Sequence, residues 1–117
     1  MRHAEIEQFC LSLKGATLSV QWGEERVFKV GGKMFATMGP KEQKPHTICF
    51  KASEESFYIL TQAPRIVPAP YLARAHWVLL ERLDALSAKE LKAYLLRAHA
   101  LVAAGLSKKK RAELGIA

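Results

Sequence analysis

RVFKVGGKMFATM, residues 26–38, decides the fold. Apolar and polar side chains alternate through RVFKV, the period of a half-buried strand. Gly31 and Gly32 follow, and both can take the positive φ that a two-residue hairpin turn demands. KMFATM is then the returning strand. In that register Phe28 faces Phe35, Val30 faces Lys33 and Lys29 faces Met34. Each face mixes cations with apolar groups, so the pattern leaves open which one is core.

On the N-terminal side, TLSVQW (17–22) alternates and GEE (23–25) turns the chain. Before it, Ile6, Phe9, Cys10 and Leu13 recur at helical spacing over residues 4–14, and Gly15 supplies a left-handed stop. On the C-terminal side, GPKEQKPH (39–46) is a loop and HTICFK (46–51) a further strand, with Ile48 and Phe50 on one side and Thr47, Cys49 and Lys51 on the other. Ser53 caps a second helix whose first turn holds Glu54 and Glu55, and Pro64 ends it near Gln62. IVPAPYLARAHW (66–77) reads as a stiff connector. HWVLLE (76–81) is a last strand by content, although its length also permits a helix. Ser87 and Glu90 form a capping box, and Leu91, Leu95, Ala98 and Val102 line one face down to Gly105. KKKRAEL (108–114) is a short helix or a frayed tail. The order α–β–β–β–β–α–β–α does not alternate regularly, which predicts an α+β fold with an antiparallel sheet.

The 117 residues fit one domain, 1–117, large enough to bury roughly 65% of its unfolded surface. No apolar run approaches the roughly 18 residues of a membrane span, and MRHAEIEQFC has no signal-peptide core. A cytoplasmic, non-membrane protein is therefore expected, with a monomer favoured. Cys10 and Cys49 lack any metal-ligand spacing and read as free thiols in a reducing compartment. The net charge is +7, and residues 26–52 carry six cations against the single acid Glu42. Such a surface favours polyanions.

Enzymatic signatures are weak. VGGKMF lacks the frame of a phosphate loop, and Glu24-Glu25 and Glu54-Glu55 read as a turn and a helix cap. His3 reads as solvated, His46 as part of a flexible loop and His99 as a helix-boundary residue. His76, beside Trp77, has no sequence neighbour that would make it a catalytic base. What remains is cations beside flat groups: Lys33 with Phe35, Lys51 with Phe50, and Arg74 with His76 and Trp77.

Several stretches resemble the MmcQ/YjbR family: VFKVGGKMFATM (27–38), the basic strand ending at Lys51, PAPYL (68–72), His76-Trp77, QWG (21–23) and the LSKKKRAEL tail. The resemblance implies a CyaY/frataxin-like α+β domain, an antiparallel sheet covered on one side by helices. It also implies DNA binding, for which a double-wing contact has been proposed in the family, and no enzymatic activity, cofactor or metal. Frataxin-like iron binding does not carry over, because it needs an acidic first helix and this one offers only Glu5 and Glu7. On matching positions Lys33, Lys51, Arg74 and His76 are the candidate functional surface, followed by Arg65 and Lys29. Pro68-Ala69-Pro70 would hold Tyr71 and Trp77 against the sheet.

The expected function is sequence-tolerant DNA binding, in which hairpins present Lys29, Lys33, Lys44 and Lys51 to phosphates, with Arg65, Arg74 and His76 beside them. The alternative is a non-enzymatic module for a small anion or a protein partner, built from Tyr71, His76, Trp77 and Lys33. The plainest reading assigns the charge to solubility alone.

Overall fold

The computed structural model describes residues 1–116. In chain order the elements are α1 (His3–Ser12), β1 (Ala16–Gln21), β2 (Glu25–Val30), β3 (Lys33–Met38), β4 (Ile48–Lys51), α2 (Glu54–Leu60), β5 (Ile66–Pro68), β6 (Trp77–Leu80), α3 (Ala88–Ala104) and α4 (Lys108–Glu113), with 3₁₀ turns at Ala73–Ala75 and Leu83–Ala85. The strands form one six-stranded sheet, ordered β1-β2-β3-β4-β6-β5, and every neighbouring pair is antiparallel. The fold is α+β, with the helices on one face.

Register identifies that face. Phe28, Ala36, Phe50 and Val78 lie across from one another on successive strands, as do Met38, Ile48 and Leu80, with Ile66 beside Leu80. These residues join Ile6 and Cys10 of α1, Phe57 and Leu60 of α2, and Leu91, Leu95, Ala98 and Val102 of α3 in a single buried cluster. Ser87 and Glu90 bond reciprocally at the start of α3, and Ser53 and Ser107 cap α2 and α4. Each hydroxyl satisfies a backbone N–H that the helix cannot pair itself.

Three expectations change. A bulge after Phe28 moves its partner from Phe35 to Ala36, whereas Val30–Lys33 and Lys29–Met34 stand. The extra residue lets Phe35 and Ala36 both reach the core, and Phe35 meets His99 edge-on at 5.3 Å. The connector contains a strand of its own: Ile66–Pro68 pairs with β6 as the outer edge, where a proline without N–H is tolerated. His3 is buried, not solvated, because its Nε2 donates to the Gly39 carbonyl at 2.9 Å and docks α1 on the β3–β4 loop.

Candidate nucleic-acid interface

Antiparallel pairing sorts the candidate side chains by sheet end. β3 starts at Lys33, β4 stops at Lys51 and β6 starts just after His76, so these positions share one end. Arg74 lies in the 3₁₀ turn beside them, and Lys29 sits two residues from the hairpin tip, opposite Met34. Lys44 falls in the loop between Met38 and Ile48, and Arg65 immediately precedes Ile66, which places both at the opposite end. Met38, which shares a cross-strand row with Ile48, Leu80 and Ile66, lies five residues along β3 from Lys33, about 16 Å at 3.3 Å per residue. The seven candidates therefore do not make one patch: Lys29, Lys33, Lys51, Arg74 and His76 come together, and Lys44 and Arg65 do not join them.

α4 reinforces the same end. α3 delivers Leu106 onto the hairpin tip so closely that a Cβ on Gly31 would lie 2.6 Å from its Cδ1, and Leu114 packs 3.4 Å from a Cβ built on Gly15. α4 consequently sits beside the start of β1 and exposes Lys108, Lys109 and Lys110 there. Their run was visible as charge in the sequence, but only the packing of Leu106 and Leu114 assigns it to this end.

Each side chain is held differently. Lys33 is exposed at the hairpin tip, and Lys29 is half-buried on the sheet face away from the helices. Lys51 Nζ donates to the Ala75 carbonyl at 2.7 Å, which ties the 3₁₀ turn to β4. His76 takes a left-handed conformation at φ 62°, accepts the Ala52 N–H at its carbonyl and sets its ring 5.4 Å from Phe57. It is a corner of the framework that also borders the basic end. Arg74 is exposed.

The pocket expected from Tyr71, His76, Trp77 and Lys33 does not form. Tyr71 is fully exposed, held at φ 65° in the turn after Pro70, so it points off the sheet instead of anchoring the crossing. Trp77 is buried as expected. Tyr71 borders a hollow on the open sheet face with Trp22, Met34 and Cys49, whereas Lys33 and Trp77 border a different one with Lys51.

The remaining titratable groups are structural. His99 Nε2 donates to the Lys14 carbonyl at 2.7 Å, and His46 Nε2 donates to the Lys41 carbonyl at 2.7 Å. Both cysteines are free. Burial pushes the Cys10 thiol up to about 12, with Glu7 adding to it, and burial pushes Cys49 up to about 11. Neither is a ready nucleophile at neutral pH. Among the described residues no three His, Cys, Asp or Glu side chains gather as a metal site requires, and no helix is long and apolar enough to cross a membrane. Arg26 Nε lies 2.9 Å from Glu7 Oε1, an ion pair between β2 and α1 whose angle falls short of a hydrogen bond.

These features define a small α+β module with helices on one sheet face and cations gathered at one sheet end. The model of the YjbR family matches residues 11–101, and the chain belongs to that family. Among solved structures it is similar to Deinococcus radiodurans protein DR2400, which carries a DUF419 domain: the two are 27% identical with a TM-score of 0.87, over 99% of this chain and 89% of that one. A Pseudomonas syringae protein, 20% identical, shares the fold with a TM-score of 0.71 over 87% of this chain and 99% of its own. No curated protein matches the chain.

Proposed function

We propose that this protein is a non-enzymatic DNA-binding module that lays its basic sheet end against the phosphate backbone. One observation carries the reading: Lys33 from the hairpin, Lys51 from β4, Arg74 from the turn and Lys108–110 from α4 are far apart in sequence yet meet at one end of the sheet. Charge drawn together by folding is a stronger sign of a polyanion surface than the same charge scattered for solubility. Contacts from lysine side chains to phosphates position the protein without reading bases, so binding is sequence-tolerant. Non-specific affinities of this kind lie around 10⁻⁴–10⁻⁶ M at physiological salt.

Fluorescence anisotropy with a labelled duplex at low and at physiological salt tests the reading. Saturable binding that weakens with salt, and is alike for two unrelated duplex sequences, is the expected result. An absence of binding at low salt would refute it.

A further inference from the structure

On the helix face, α3 packs over β2, β3 and β4, whereas α2 packs over β5 and β6. Residues at the start of α2 and along α3 line a cleft of about 290 Å³, close to the lower size of small-ligand sites. Its walls are apolar, formed by Ala100 and Leu101 of α3 and by the Tyr94 ring. That ring is fixed from below, stacked on the buried Phe50 at 5.9 Å.

Two cations line the same cleft. Arg97 holds its guanidinium 5.3 Å from the Tyr94 ring centroid and makes no ion pair among the described residues. Lys51 directs one N–H to the Ala75 carbonyl and keeps two donors free. The hydroxyl-bearing Ser53 and Ser56 line the remaining side, and no Asp or Glu does. A bare inorganic anion would leave the apolar walls wet, and a neutral apolar molecule would leave the cations unanswered.

We propose that this cleft is a binding site for a small amphipathic anion, one carboxylate, sulfonate or phosphate group on an apolar body. The anionic head meets Arg97 and Lys51, and the body lies on Tyr94, Ala100 and Leu101. Covering the walls also excludes water from the head group, which strengthens its attraction to the cations. Lys51 is shared with the surface proposed for DNA, whereas Arg97 and Ala100 lie outside it, so substitutions at those two residues test this site apart from that one.

The test is calorimetric titration of the full chain with octanoate, alongside octanol and inorganic phosphate. Octanoate should bind one to one, with octanol and phosphate each at least about tenfold weaker. Arg97→Gln should weaken octanoate about tenfold, as expected when a charge-assisted hydrogen bond is removed. Ala100→Leu, at an exposed helical position that tolerates leucine, should fill the cleft and abolish binding. Both variants should keep the wild-type melting temperature and duplex affinity. Octanol binding as tightly as octanoate, or either variant binding octanoate like wild type, would overturn the site.

Discussion

Replacing Gly31 by alanine should destabilise the protein far more than the same change at Gly32, although the two are adjacent in one turn. Gly31 has φ +59° and Gly32 φ +82°, so either alanine is forced into left-handed space. That costs about 1–2 kcal/mol, offset by about 0.4–1 kcal/mol because alanine also restricts the unfolded chain. The backbone contribution is thus about 1 kcal/mol at both. Only Gly31 adds a steric one: its Cβ would lie 2.6 and 2.8 Å from the two methyls of Leu106, whereas nothing lies within 4 Å of a Cβ at Gly32. Leu106 is itself buried, so the overlap cannot relax freely, and overpacking of this kind costs about 1–3 kcal/mol. Gly31→Ala should therefore lose about 2–4 kcal/mol and Gly32→Ala about 1 kcal/mol in urea denaturation. In a Leu106→Ala background the extra cost at Gly31 should vanish, leaving the two glycine substitutions alike. Equal losses at both positions in the wild-type background would refute the docking of the hairpin tip on the end of α3, and with it the route by which α4 reaches the basic end.

Ser87→Ala removes the hydroxyl that accepts the Glu90 N–H and should cost about 1 kcal/mol, measured by thermal unfolding. Tyr71→Gly should leave stability unchanged or raise it by up to about 1 kcal/mol, because the fully exposed ring buries nothing and the φ of 65° suits glycine. The thiols set an alkaline limit. Cys10 and Cys49 are raised from 9.0 to about 12 and about 11, so the unfolded chain releases these protons first. Their contribution is fully present below pH 9 and declines above it, by up to about 1.4 kcal/mol per pH unit for each thiol. Urea denaturation at stepped pH values above that point should show a shallower decline for Cys10→Ala than for wild type, and parallel slopes would contradict the assignment.

The local devices of this fold were legible in the sequence because each is written within a few residues. The Gly31-Gly32 turn, the Ser87–Glu90 box and the alternation of Ile48 and Phe50 all appear as read. β5 was not legible, since three residues ending in proline carry no strand period and form a strand only by pairing with β6. The bulge at Phe28 was hidden for a similar reason: it accompanies the burial of both Phe35 and Ala36 in the core, which the residues of the turn do not encode. Tyr71 went astray because its backbone conformation, not its hydrophobicity, directs the ring outward.

The candidate site was legible residue by residue but not as a place. Lys44 and Lys51 are close in sequence, yet β4 carries the chain from one sheet end to the other between them. Lys108–110 are remote from Lys33 in sequence, and packing against Gly31 and Gly15 brings them near it. Arg97 carried no signal beyond its helical spacing from Tyr94.

The central claim, that one end of the sheet holds DNA, is tested most directly by comparing two double substitutions at exposed cations. Lys33→Gln with Lys108→Gln removes two cations from the basic end, and Lys44→Gln with Arg65→Gln removes two from the opposite end, so net charge falls equally. Duplex affinity is measured across a salt series for each. The first pair should weaken binding and lower the slope of log K against log salt by about 2, at about 0.9 for each phosphate left without its cation, while the second leaves the slope close to wild type. Equal effects from the two pairs would show that charge alone, and not its gathering at this end, governs binding.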